Sequence, residues 1–218
     1  MLTASGNTQD PSFAQSRLAW TTGLGFSLFV VLYVVAALYY PGGSNADRTE
    51  SGFNIYTNYW CDLLSNTAKN GQPNPGQSVA FTAMALLCLT LAYFWYVTPV
   101  AFAFPKRTQR LLQIAGVLSM SIAPFIFTAY HDAVINVAGV FGSVAMLGTL
   151  VGVYKNYAFA LFSFGIICLV LCGLNNYIYH THRFIDQLPI IQKITFLLFL
   201  LWFTLVALTL CRNATTHA

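Results

Sequence analysis

A histidine and an aspartate stand side by side where the chain turns between two long apolar runs. His131 and Asp132 belong to the stretch 128–136, and Asn136 follows Asp132 by four residues, so the two share a helix face. A carboxylate beside an imidazole favours the imidazolium, or orients the neutral ring for metal binding or base chemistry. This turn is therefore the first candidate for a functional site.

A second group of polar residues closes the fifth apolar run. Asn175 and Asn176 lie in its last turns, His180 follows Asn176 by four residues, and His182 comes just after. An amide in hydrocarbon is costly unless it finds a hydrogen-bond partner, so these asparagines must face protein or water. Ionisable groups at a membrane edge are candidates for function. This end of the fifth run is the second candidate.

The composition indicates a chain surrounded mostly by lipid. Only 7% of the 218 residues are charged and 57% are hydrophobic, whereas soluble domains have about 25% charged residues. A soluble chain of this size would need more charged residues to cover its water-exposed surface. No patch of Lys and Arg exceeds the short group at 106–110, so we exclude nucleic-acid binding.

Six apolar runs reach the roughly 20 residues that a helix needs to cross a bilayer. They are too long and too uniformly apolar for barrel strands. Pro124 predicts a kink in the third run. The predicted fold class is all-α, a polytopic transmembrane six-helix bundle with a structured extracytoplasmic loop after the first helix. The predicted spans are 19–40, 79–98, 108–130, 133–153, 157–179 and 188–210.

Basic residues set the expected orientation. If the N-terminus is cytoplasmic, six Lys and Arg residues fall on the inner side and four on the outer side. Cytoplasmic segments of membrane proteins usually have such an excess of Lys and Arg. The prediction is a cytoplasmic tail over 1–18, a transmembrane domain over 19–211 and a cytoplasmic tail over 212–218. We expect the protein to be integral to a membrane, specifically a bacterial inner membrane.

The loop over 41–78 is the only long connection. Apolar residues within 53–64 recur with a helical period, and their aromatic character favours a short helix in the membrane interface. A dense turn cluster over 70–76 leads into the second span. A loop of this length is usually structured or functional.

The fourth run is rich in small residues. Ala138 and Gly142 form one pair four residues apart, and Gly148 and Gly152 form another. Such pairs let helices approach closely. We predict that this helix is central in the bundle, and that Gly148 and Gly152 could pack against a helix of a partner chain.

Simpler interpretations stand beside each functional one. Asp132 is well placed as the N-cap of the fourth helix, the asparagines could be hydrogen-bond links between helices, and the histidines could be ordinary residues at helix ends. A zinc site needs three or four ligands at fixed geometry, and nothing in the spacing demands one. The candidate ligands are His131, Asp132, His180 and His182, with Asp62 as a further aspartate.

The layout resembles a known family. Asp62-Leu-Leu-Ser65 and Asn70-Gly-Gln-Pro-Asn-Pro75 close the long loop, and His131-Asp132 precedes a glycine-rich helix. This order resembles the DUF998-type bacterial membrane protein family and is similar, more distantly, to the Frag1/DRAM/Sfk1 group of six-span proteins. The latter group implies a role in lipid remodelling or membrane lipid organisation. The matching positions are Asp62, Ser65, Asn70, Pro73, Asn74, His131 and Asp132.

Three functions follow as hypotheses. The first, which we favour, is an extracytoplasmic-side polar pocket that binds or organises a membrane lipid or another amphiphile without chemistry of its own. The second is a metal-dependent membrane hydrolase of lipid esters or amides, with zinc as the cofactor. The third is an accessory subunit of a larger membrane complex. The predicted pocket residues are Asp62, Ser65, Asn136, Asn175 and Asn176.

Overall fold

The computed structural model describes residues 11–127, 131–157 and 159–216. Within these ranges the chain is all-helical, with six α-helices, three short 3-10 helices and two isolated β-bridges but no strand. This confirms the all-α prediction. The helices are α1 Pro11–Leu38, α2 Gln77–Ala101, α3 Lys106–Ile122, α4 His131–Asn156, α5 Phe159–Thr181 and α6 Leu188–Thr216.

Five of these helices, all except α3, are long and apolar enough to cross a membrane, which is compatible with an integral membrane protein. The α-helical part of α3 has 17 residues, or about 26 Å at 1.5 Å per residue. It ends at Ile122, and a 3-10 helix over Ala123–Phe127 continues it. Pro124 has no backbone N–H to donate and clashes with the preceding turn. The last residues of the predicted third span, 128–130, lie outside the described residues.

The six helices form a ring in chain order. Each helix packs against the next one along the chain, and α6 returns to pack against α1. Phe203 of α6 lies at the centre of the tight side, with ring centroids 6.4 Å from Phe26 of α1 and 4.9 Å from Phe94 of α2. The smallest contact between consecutive helices is the one between α4 and α5. The ring is therefore tight on one side and loose on the other.

The small residues of α4 serve packing inside the chain. A Cβ atom at Gly148 would lie 2.3 Å from the side chain of Leu112 on α3, and one at Gly152 would lie 2.4 Å from the ring of Phe102. Both distances are far below van der Waals contact. These two glycines therefore let α4 approach α3 and the α2–α3 connection, while a contact with a partner chain through them stays a prediction.

The substitution Gly152→Ala should destabilise the fold. The added methyl group has no room beside the ring of Phe102, which is itself buried, and overpacking of this kind costs about 1–3 kcal/mol. The matched control is Gly139→Ala on the same helix, where nothing lies within 4 Å of the new atom. Thermal unfolding of the purified protein in detergent should show a lower midpoint for Gly152→Ala only. Equal midpoints for the two variants would contradict this packing.

Candidate functional site between α4 and α5

The long loop folds onto one end of the helix ring as a cap, which we define as residues 39–76. The predicted helix within 53–64 is present as a shorter 3-10 helix over Trp60–Leu64. The ring of Trp60 lies 4.7 Å from that of Tyr33 on α1 and 5.7 Å from that of Phe196 on α6. Its backbone N–H donates to Oε1 of Gln192 at 3.4 Å. The loop cap is thus held against both α1 and α6.

Two charged side chains are buried beneath the loop cap. Lys193 on α6 is 4% exposed. Its ammonium donates to the backbone carbonyls of Asn58 in the cap and of Pro189, the latter at 3.0 Å. It also lies 5.6 Å from the ring centroid of Phe53. Hydrogen bonds from a charged donor are among the strong ones, so Lys193 ties the loop cap to α6.

Asp62 belongs to the same buried layer and is 3% exposed. Its carboxylate accepts from the backbone N–H of Tyr59 at 2.9 Å and from Nδ2 of Asn58 at 3.1 Å, and it pairs with Lys69 at 3.5 Å. The structure therefore places this carboxylate inside the cap, where hydrogen bonds and a charge partner compensate its burial.

Other positions that carry the family resemblance also make contacts within the loop cap. Nδ2 of Asn74 donates to the carbonyls of Leu63 and Ser65 at 2.9 and 3.0 Å, and its Oδ1 accepts from Gly76 at 3.1 Å. The side chain of Asn70 accepts from the N–H of Gln72. These asparagines shape the turns that lead into α2. Ser65 itself is exposed.

The α4–α5 seam is closed at the end remote from the loop cap. A Cβ atom at Gly165 of α5 would lie 2.5 Å from the buried side chain of Leu150 on α4. One turn further from the cap, the rings of Tyr154 and Phe162 are 5.1 Å apart. These contacts identify the face that each of the two helices turns towards the other.

The same two faces continue towards the cap end, but there they are uncovered. Asn136 lies about four helical turns before Leu150, and Asn176 lies about four turns after Phe162. Each asparagine is therefore on the same face of its helix as that residue. Both asparagines are nevertheless exposed, as are Ser143 between Asn136 and Leu150 and His180 one turn beyond Asn176. We call these two uncovered faces the lateral opening, and the polar residues on them are Asn136, Ser143, Asn176 and His180.

The antiparallel pairing places these side chains at similar heights. The contact between Leu150 and Gly165 marks a common level on the two helices. From that level, Asn136 on α4 and His180 on α5 each stand about 21–23 Å further along the helix axis, at 1.5 Å per residue. Asn136 and His180 therefore lie at about the same level on the two sides of the lateral opening, with Asn176 one turn deeper.

Asn175 is turned towards α6 instead. Its Nδ2 donates to the carbonyl of Leu171 and to Oγ1 of Thr195, both at 2.8 Å. Because the carbonyl of Leu171 can only accept a hydrogen bond, the amide nitrogen of Asn175 must face it, and Oδ1 points away from it. Among the described residues this buried Oδ1 has no hydrogen-bond partner. Asn175 thus links α5 to α6, as one of the simpler interpretations expected, and retains one unsatisfied acceptor.

The predicted zinc ligands are only partly described. α4 begins at His131, but the side chains of His131 and Asp132 lie outside the described residues, and so does the proposed capping role of Asp132. His180 and His182 are both exposed. In the described parts of the chain no group of three or more His, Cys, Asp or Glu residues could hold a metal ion. Zinc binding stays a prediction.

The five predicted pocket residues thus occupy three places. Asn136 and Asn176 line the lateral opening, Asn175 bridges α5 and α6, and Asp62 and Ser65 belong to the loop cap. Lys193 is the residue that sequence reasoning missed as part of this end, because it was counted only as a charge that sets orientation. The sequence nevertheless pointed to Lys193, because a charged residue near the start of a long apolar run is a candidate for function.

No protein-family model, no curated protein and no solved structure matches this chain. The resemblance to the DUF998-type family and to the Frag1/DRAM/Sfk1 group therefore stays a prediction. Any function must be inferred from the geometry of the chain itself.

Replacing Lys193 with methionine should loosen the loop cap. The variant loses both hydrogen bonds from the buried ammonium, and a hydrogen bond to a charged group contributes about 1.5–3 kcal/mol. We expect a lower unfolding midpoint and faster proteolytic cleavage within residues 39–76. The matched control is Lys155→Met, which changes an exposed lysine at the end of α4 that is remote from the loop cap. Cleavage of the Lys193→Met cap at the control rate would show that this contact does not hold the loop.

Proposed function

We propose that this chain is an integral membrane protein of six spans whose lateral opening binds a membrane lipid or another amphiphile, without chemistry of its own. Five helices have the length and apolar composition of spans. The sixth span in this proposal is α3 together with the 3-10 helix over Ala123–Phe127, which together rise about 36 Å. That rise is enough to cross the hydrocarbon core of a bilayer, which is about 30 Å thick.

The distribution of basic residues supports an orientation with both termini in the cytoplasm. The end of the ring remote from the loop cap carries six basic residues and the cap end carries four. Because cytoplasmic segments have the excess of Lys and Arg, the loop cap would face the outside. The lateral opening would then lie in the outer leaflet.

The observation that carries the lipid proposal is the exposure of Asn136 and Asn176 on the facing surfaces of α4 and α5. Each lies five residues from the cap-side end of its helix, or about 7.5 Å along the axis. An amide facing hydrocarbon without a partner is costly. A lipid whose polar head group reaches this depth would supply the missing hydrogen bonds to both amides.

The walls of the lateral opening also suit an amphiphile. Deeper than the two amides, α4 exposes Val140 and Leu147, and α5 exposes Cys172 and Gly173. An acyl chain would therefore meet a mostly apolar surface, while the head group would meet Asn136, Asn176 and His180. Apolar walls with a few convergent polar groups are the usual design of a small-molecule site.

A helix of a partner chain is the second candidate for the same opening. Nothing lies within 4 Å of a Cβ atom built at Gly139 or at Gly173, and small residues of this kind allow close helix approach. In that case the protein would be an accessory subunit, and the asparagines would bond to the partner. Purification in mild detergent separates the two cases, because a stoichiometric second protein would favour the subunit.

The double variant Asn136→Leu/Asn176→Leu tests the lipid proposal. Loss of two hydrogen bonds, each contributing about 0.5–1.5 kcal/mol, should reduce the amount of retained lipid at least about fivefold. Lipid extracted from the purified protein is quantified by mass spectrometry. Asn156→Leu is the control, since this exposed asparagine lies at the other end of α4 and bonds its own helix. Retention equal to that of the control would overturn the proposal.

The metal content of the purified protein tests the hydrolase alternative. A protein that only binds lipid should contain no stoichiometric zinc when purified without chelator. Near-stoichiometric zinc that disappears in both His131→Ala and His180→Ala would instead favour a metal-dependent hydrolase, because a bound ion generates a nucleophile from water at neutral pH. Elemental mass spectrometry on the wild type and the two variants gives the answer.

A further inference from the structure

We propose that the end of the ring remote from the loop cap carries a second lipid site, which takes an anionic phospholipid in the cleft between α5 and α6. This proposal rests on the membrane embedding proposed above, but it does not depend on the lateral opening. The two sites lie at opposite ends of α5, so they would take lipids from opposite leaflets.

The cleft has apolar walls and a volume of about 340 Å³, which falls within the range of small-molecule sites. It is open rather than enclosed, and Ala160 on its wall is exposed, so a lipid could enter it. The walls suit one end of an acyl chain. The lining residues are Tyr157, Ala160, Leu161, Phe164, Leu205 and Thr209.

Polar groups gather at the cytoplasmic end of this cleft under the proposed orientation. Thr209 and Arg212 follow Leu205 by four and seven residues, so all three share one face of α6. Tyr157 lies in the connection between α4 and α5, and its hydroxyl is hydrogen-bonded to the side chain of Asn213. An apolar cleft that ends beneath an arginine has the polarity pattern of a phospholipid, with one end of an acyl chain in the cleft and the head group at Arg212.

The charge of this end selects an anionic head group. Six exposed basic residues surround it, while the described acidic residues belong to the cap side, and Asp10 lies outside the described residues. An excess of basic residues is expected at the cytoplasmic end of any membrane protein. That expectation does not explain the open apolar cleft beside Arg212. Each basic residue near an anionic surface adds about 1 kcal/mol, or about fivefold in affinity. The six are Arg17, Lys106, Arg107, Arg110, Lys155 and Arg212.

The test uses the full chain, purified in detergent, stripped of lipid and titrated with phosphatidylglycerol or phosphatidylcholine of equal chain length. Native mass spectrometry counts the bound lipids. The wild type should bind one phosphatidylglycerol at least about fivefold more tightly than phosphatidylcholine. Arg212→Gln should remove about fivefold of this affinity. The matched control, Arg183→Gln, removes the same charge at the cap end and should leave the affinity unchanged.

A second variant tests the cleft separately from the charge. Ala160→Trp, on the exposed surface of α5, fills the cleft and should abolish the tight phosphatidylglycerol site while Arg212 remains. Equal affinities for Arg212→Gln and Arg183→Gln, or tight binding that persists in Ala160→Trp, would overturn the proposal and leave only ordinary surrounding lipid. The Asn136→Leu/Asn176→Leu variant should keep this site, so failure of the lateral opening and failure of the cleft give different results.

Discussion

The buried ammonium of Lys193 fixes the position of the loop cap, and the shape of the cap end of the ring depends on that position. Withdrawing the carbonyl of Asn58 would remove one of the two hydrogen bonds that the buried ammonium donates, and a hydrogen bond to a charged group contributes about 1.5–3 kcal/mol. The cap therefore stays against α6, and Trp60 stays wedged among the aromatic rings of α1 and α6. This closes the α1–α6 side of the ring. The faces of α4 and α5 that carry Asn136 and Asn176 stay uncovered at this end.

The two sides of the ring are stabilised by different kinds of contact. On the tight side, Phe203 packs among aromatic residues of α1 and α2, and α4 meets α3 where glycines remove the obstacle of a side chain. On the loose side, few residues of α5 are buried, namely Gly165, Cys168 and Ile178, and the helix is hydrogen-bonded to α6 through Asn175 and Leu161. Much of its remaining surface is exposed. The candidate sites lie along this weakly attached helix because it is the one with unfilled surface on both flanks.

Local pattern was enough to predict the helices, because six apolar runs and Pro124 are visible in the sequence itself. The spacing of four residues also puts Asn176 and His180 on one face of α5. What the sequence could not provide was the distance between neighbouring helices, which decides whether Asn136 is buried or exposed. Nor could it join Asn58 to Lys193, which is far away along the chain. Asp62 stood out by residue type alone, whereas its partners are set by the folding of the cap around it.

The close contact at Gly165 gives α5 a mechanical property. The side chains of Leu150 and Trp202 both pack where a Cβ atom of this glycine would lie, and the indole N–H of Trp202 donates to the carbonyl of Leu161 nearby at 2.8 Å. From this fulcrum to His180 the helix forms a lever arm of about 22 Å. With an arm of that length, a tilt of about 5° would displace the cap-side end by about 2 Å, and the hydrogen bond from Asn175 to Thr195 of α6 opposes such a tilt. The spacing of α4 and α5 at the cap end therefore depends on how firmly the hydrogen bond of Asn175 holds α5 to α6.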